Sequence, residues 1–226
     1  MPSRAGSPIL LVGSLLSTAV LLICFAPRAS AEPVVWTVRL SAGGALNLPT
    51  HLAVEQEGEP EIRLTARYDT RAFEPPIYYS LRLAREDARG AWEIELVHQK
   101  LRLRRPPPEI ERFEISHGYN FLLLGRSWSG HPAVLHLGAG PVIAHPETTV
   151  RGRTIPPGEG ILGEGYYLSG FGLQVAAERK SRLVAGFRLA AEAKLSIAWA
   201  RVPIADGRAS VPNAAFHALA GIERAF

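Results

Sequence analysis

The sequence predicts an all-β chain, an antiparallel up-and-down transmembrane β-barrel of eight strands preceded by a signal peptide, with ten strands as the other even count the pattern allows. Three observations carry this expectation. After residue 32 the apolar residues recur at every second position, the connections between these runs are short and long in turn, and the polar faces carry dense charge of both signs. A chain of 226 residues without a linker-like break reads as one domain, residues 32–226, behind a signal segment, residues 1–31.

The N-terminal segment has the layout of an export signal. Arg4 lies in a short polar start, Ile9 to Ala26 is almost unbroken apolar sequence, and Ala29-Ser30-Ala31 fits the small-x-small rule, with cleavage expected before Glu32. The apolar stretch approaches the roughly 20 residues of a membrane helix, so an uncleaved anchor is the alternative reading. Cys24, the single cysteine, lies inside this segment, and Leu21-Leu22-Ile23 before it lacks the small residue of a lipoprotein processing site. The exported chain therefore has no thiol, which excludes disulfide scaffolds, thiol catalysis and cysteine-based zinc sites. Lys plus Arg is 25 against 21 Asp plus Glu, too small an excess to suggest nucleic acid.

Expected strands are 61–70, 76–86, 91–103, 111–125, 132–143, 161–178, 182–200 and 213–226. In 91–103, Trp92, Ile94 and Leu96 share one face, opposite Glu93 and Glu95. In 111–125, Phe113, Ile115, Tyr119, Phe121 and Leu123 are taken as the apolar face. The run 182–200 separates Leu183, Phe187, Leu189, Leu195, Ile197 and Trp199 from Arg182, Arg188, Glu192, Lys194 and Ser196, as a strand does and a helix cannot. Residues 34–45 and 51–56 alternate weakly, so 32–60 is read as an N-terminal extension or an extra strand pair. Short turns at 86–90, 126–131 and 178–181 against longer segments at 104–109, 144–160 and 201–212 put both termini at the short-turn end, the periplasmic side of a membrane barrel. Folding 91–103 onto 111–125 about Pro107-Pro108 sets a register in which Trp92 faces Leu123 and His98 faces His117.

Alternation alone does not say which face is outside. Arg63, Arg67, Arg82, Glu93, Glu95, Glu114, Glu164, Arg188, Glu192 and Lys194 populate the polar faces, and opposite charges can interlock inside a narrow eight-stranded barrel. Trp92 and Trp199, with Tyr68 and Tyr79, fall near strand ends, as an interfacial aromatic girdle requires. The expected lumen network is Arg82, Glu93, Glu95, Glu114, Arg188, Glu192 and Lys194.

The chain ends Ala218-Leu219-Ala220-Gly221-Ile222-Glu223-Arg224-Ala225-Phe226. In this terminal strand it resembles bacterial outer-membrane barrels, which close on a Phe preceded by alternating apolar residues and a Gly. Phe226, Ile222, Ala220 and Ala218 fit that pattern, whereas Arg224 stands where an apolar residue is usual. The architecture is similar to the small OmpA- and OmpX-type barrels. The resemblance implies recognition of Phe226 by the barrel assembly machinery and location in the outer membrane of a Gram-negative bacterium.

Candidate chemistry is sparse. Glu93, Glu95 and Glu114 have the look of paired acid/base carboxylates, but a salt-bridged lumen explains them as well. His98 and His117 are the weak catalytic candidates; with no third ligand evident they predict no metal, and no cofactor is expected. A lipid A-modifying acyl hydrolase would need Ser and His on one face, and alternation turns Ser116 and His117 to opposite faces. Ser127, in a glycine-flanked hairpin, lacks nucleophile-elbow spacing. Lys100, Arg102, Arg104 and Arg105 cluster at the long-loop rim, where they could hold lipopolysaccharide phosphates. The expected protein is a monomeric barrel with a filled, non-porin lumen and a structural, envelope-integrity or surface-interaction role, in contact with outer-membrane lipid and lipopolysaccharide. Its rivals are the acyl hydrolase and a soluble periplasmic lipocalin-like lipid carrier.

Overall fold

The structure is a computed structural model that describes residues 34–157, 159–161, 163–182 and 185–226. The signal segment, Cys24 and the cleavage site after Ala31 lie outside the described residues. The elements are β1 (Val35–Asn47), β2 (Thr50–Gln56), β3 (Ile62–Ala66), β4 (Tyr68–Asp69), β5 (Tyr79–Asp87), β6 (Gly90–Leu103), β7 (Ile110–Trp128), β8 (Val134–Val150), β9 (Arg153–Thr154), β10 (Tyr167–Arg182), β11 (Phe187–Ile204), β12 (Gly207–Ser210) and β13 (Asn213–Ala225).

Among the described residues eight strands close a barrel in the order β1-β5-β6-β7-β8-β10-β11-β13, with β13 returning to β1. All neighbours are antiparallel, and the closing seam runs from Thr37↔Ala225 to Asn47↔Ala215. Phe226 extends that seam: its N–H donates to the Trp36 carbonyl at 2.9 Å, and the Trp36 N–H donates to the Phe226 carbonyl at 3.2 Å. The expected count of eight holds, but the first barrel strand is β1 and not 61–70. β1 supplies a clean alternation, with Trp36, Val38 and Leu40 outside and Thr37, Arg39 and Ser41 inside. β2, β3 and β12 instead form a small sheet that continues from the upper end of β11. Its Leu52, Val54, Ala66 and Ala209 join the same apolar core as Leu101, Ile115 and Val202 of the barrel strands.

The apolar belt faces outward. Leu81 and Leu83 on β5, Trp92 and Ile94 on β6, Leu122 and Leu124 on β7, Leu135 and Leu137 on β8, and Phe171 and Val175 on β10 are exposed, as are Trp199, Phe216 and Ile222. On β8 the belt runs from Leu135 to Ile143, which matches the roughly 9–11 residues of a tilted transmembrane strand. Trp36, Trp92 and Trp128 ring the short-turn end, while Trp199 pairs with Phe171 toward the other. Tyr68 is not part of that girdle; it is buried in the core. Arg224 points outward on β13, its guanidinium 5.3 Å from the Phe187 ring, so a cation–π contact accommodates the departure from the terminal pattern.

One face assignment is inverted. Phe113, Ile115, Tyr119, Phe121 and Leu123 point into the barrel and are at most 3% exposed. The pairing is Trp92↔Arg126, Ile94↔Leu124 and His98↔Asn120, an odd number of residues from the expected register, so the side chains of β7 on either side of the Ser116–Gly118 bulge change face. Space for the aromatic rings comes from facing glycines: a Cβ on Gly172 would sit 2.6 Å from the Phe121 ring. Strands also run further than expected. β10 continues to Arg182, so its turn lies beyond 178–181, and β8 continues to Val150 through much of the expected long loop.

Candidate functional site

The lower lumen, toward the short turns, is an ion-pair lattice. Arg82 of β5 stands at its centre, 2.9 Å from Glu95, 3.2 Å from Glu178, 2.8 Å from Glu192 and 3.7 Å from Glu93. Arg39 contacts Glu178 and Glu192, and the Lys194 ammonium donates to Glu95 at 2.6 Å. His136 fits between Glu93 and Glu178, 2.9 and 3.1 Å away. Arg188 lies at the mouth with Glu223 and Glu86, at 3.2 and 3.5 Å. Thus Arg82, Glu93, Glu95, Arg188, Glu192 and Lys194 meet in the lumen as expected. Glu114 does not: it lies on the outer side of β7, bound to Arg102 and Arg112. Arg63, Arg67 and Glu164 are exposed outside the barrel. Arg39, His136 and Glu178 join the lattice, although the sequence pattern does not mark them. Arg39 sits in the weakly alternating segment, and the other two become recognisable only once the inward face is fixed.

The basic cluster at the rim is largely spoken for. The Lys100 ammonium donates to the Glu74 carbonyl at 2.6 Å, Arg102 pairs with Glu114, and Arg104 lies 3.5 Å from Asp69. Burial lowers the Lys100 pKa, with the Glu74 charge opposing that shift. Arg105 is exposed at a positive φ of 50°.

The densest chemistry on the outer wall lies just above the belt. His98 and His117 do not face one another. His98 Nδ1–H donates to Asn120 Oδ1 at 2.8 Å, and the ring stacks on Tyr79 at 5.1 Å. His117 lies in a bulge of β7, where pairing to β8 shifts between Ile115↔Pro146 and Tyr119↔Ala144. Gly118 carries the bulge at φ 128°, and a Cβ there would strike the Asn120 side chain at 2.2 Å. The bulge defeats simple alternation, so Ser116 and His117 come together: Ser116 Oγ is 3.2 Å from His117 Nδ1. Glu147 of β8 accepts from Ser116 and lies 2.7 Å from the same His117 nitrogen. Arg112 holds the other oxygen of that carboxylate. Burial alone would raise the Glu147 pKa; hydrogen bonds from Ser116 and His117 and the Arg112 charge outweigh it, and the net shift is downward.

His145, two residues before Glu147 on the same face, completes the cluster. Its ring lies 4.8 Å from His117 and 4.9 Å from Tyr166. The sequence pattern marks neither His145 nor Glu147, because 144–160 has the composition of a loop. With the strand extended to Val150 their spacing of two places both outward. The arrangement is not a nucleophile–base–acid relay, since Ser116 and Glu147 share one nitrogen of His117 instead of flanking the ring.

A closed eight-stranded meander with an outward apolar belt and a lumen filled by side chains is the architecture of the small bacterial outer-membrane β-barrels. No protein-family model matches the chain, nor does any curated protein sequence. Among solved structures, the chain is similar to the attachment invasion locus protein Ail of Yersinia pestis (11% identity, 86% of this chain and 100% of that one, TM-score 0.39). It is also similar to the outer membrane protein AlkL in DMPC bilayers (10%, 89% and 94%, 0.45) and to Neisserial surface protein A (10%, 85% and 99%, 0.39).

Proposed function

We propose that the chain is a monomeric outer-membrane barrel of a Gram-negative envelope, exported behind a cleaved signal segment, with a structural, envelope-integrity or surface-interaction role and no diffusion pore. The observation that carries this reading is the opposite chemistry of its two surfaces. Charge is locked in the lumen around Arg82, while leucines and tryptophans face outward, where only lipid would cover them. That arrangement speaks against a soluble carrier, which would need the apolar face inside. Assembly would use the terminal strand ending in Phe226, and lipopolysaccharide would meet the exposed rim at Arg104 and Arg105.

Fractionation with gel mobility before and after boiling tests the membrane placement. Recovery in the outer membrane with a heat-dependent shift is expected, and recovery in the soluble periplasm without one overturns it. In planar bilayers the purified barrel should give no porin-like conductance; a stable open channel would sink the plugged-lumen reading. Replacing Arg104 and Arg105 by Gln should lower the lipopolysaccharide that co-purifies, and unchanged lipid removes that contact.

A further inference from the structure

We propose that His117, His145 and Glu147 form a binding site for a divalent transition-metal ion of the zinc type, which ties the β7 bulge to β8 at the extracellular rim. One ligand atom from each residue lies within 4.8 Å of the other two. His117 Nδ1 is 2.7 Å and His145 Nδ1 3.9 Å from the same Glu147 oxygen, Oε1. These values bracket the separation of about 3.3 Å between ligands of a tetrahedral ion bound at roughly 2.0–2.1 Å, so side-chain adjustment suffices to admit it. His145 supplies the independent observation. Its Nδ1 is buried without a hydrogen-bond partner, and 3.9 Å is too long for a bond to Glu147. An ion between the two groups gives that nitrogen its partner.

The surroundings select the class of ion. Two imidazoles and a single carboxylate oxygen suit zinc and its borderline neighbours, whereas calcium and magnesium require more oxygen ligands. Arg112 occupies Glu147 Oε2, which directs Oε1 toward the histidines and offsets the carboxylate charge. Three protein ligands leave a fourth position for water. A contrasting group, His136, Glu178 and Glu192 in the lumen, also has metal-ligand spacing, but Arg39 and Arg82 already hold its carboxylates. The β7–β8 pairing is interrupted from Ser116 to Gly118, so a bridge there would replace lost strand pairing.

The test is isothermal titration of the folded, chelator-treated barrel in detergent with zinc chloride, with cobalt absorption as the geometric probe. One zinc per chain is expected, with no binding of calcium under the same conditions. His117→Ala and His145→Ala should each weaken zinc at least tenfold, and His98→Ala, from the neighbouring wall, should leave it unchanged. Heat-shifted mobility reports folding of each variant. If His145→Ala fails to fold, His117→Ala decides alone, because that side chain is 56% exposed. Absence of stoichiometric zinc, or equal affinity in wild type and His117→Ala, overturns the proposal.

Discussion

Along β6 the inward positions run Glu93, Glu95, Val97, Gln99, Leu101 and Leu103; along β11 they run from Arg188, Glu192 and Lys194 to Ala198, Ala200, Val202 and Ile204. Both strands therefore pass from an ionic lower lumen to an apolar upper one. Between the two lies a layer of neutral hydrogen bonds, Tyr78 to His217 Nδ1 and Ser196 to His217 Nε2 at 2.7 Å, with Gln99 donating to Asn47 at 2.6 Å. The contrast follows from what surrounds each half. Within the belt the outer wall is apolar, so alternation makes the inner wall polar, and in a bore this narrow the charges must pair. Above the belt the outer wall meets water and the inside packs like a soluble core. One strand thus inverts its hydrophobic sense along its length while keeping its period of two.

The largest effect expected from breaking this contrast is at Arg82. Arg82→Met leaves four carboxylates short of a partner in a buried site and should cost about 3–5 kcal/mol in urea unfolding from lipid vesicles. Adding Glu95→Gln and Glu192→Gln should restore part of that loss. No recovery in the triple variant would mean that the lattice does not act through charge balance.

The upper half should respond to volume instead. Phe121→Ala removes a ring that is 1% exposed and should cost about 3 kcal/mol. Gly172→Ala should destabilise the wild type, because its new methyl meets that ring, and should do so far less in the Phe121→Ala background. Additive effects at these two positions would contradict the packing described. Tyr119→Phe is smaller, about 1 kcal/mol, since it loses only the hydroxyl that donates to the Val211 carbonyl at 2.9 Å.

The same inversion explains what the sequence made legible. Period-two alternation, the strand count, the outward faces of β6, β11 and β13, and the lumen residues Arg82, Glu95, Glu192 and Lys194 were readable because each lies within the belt, where a single rule holds. On β7 the run Phe113 to Leu123 crosses from core to belt, and Leu122 and Leu124 are as apolar as the inward set. Hydropathy therefore could not choose a face, and the bulge at Ser116–Gly118 removed the register that might have decided. The outer-wall cluster was hidden for the same reason. His117 sits in the bulge and His145 and Glu147 on a polar strand extension that resembles a loop, so their meeting depends on a cross-strand shift of two residues.

The smallest expected effect lies at the lower rim, outside both compartments. Asp87, the last residue of β5, accepts a bidentate pair from Arg126 at 3.0 and 3.0 Å, while Arg126 also rests 5.4 Å from the Trp92 ring. The Arg126 hydrogen bonds, with the Arg89 backbone N–H, hold the Asp87 pKa down to about 2 from 3.8. A depressed carboxylate contributes its stability above the unfolded value and loses it as pH falls through the folded one. The contribution should therefore be whole above about pH 4 and fade between about 4 and 2, and because the pair is exposed it should be small and salt-sensitive. Asp87→Asn should lower stability by one small amount at all pH values above about 4 and converge with the wild type below about 2, so that the slope of stability against pH flattens in that acid window. A loss at neutral pH rivalling Arg82→Met would instead make the rim, and not the lumen lattice, the main electrostatic support of the barrel.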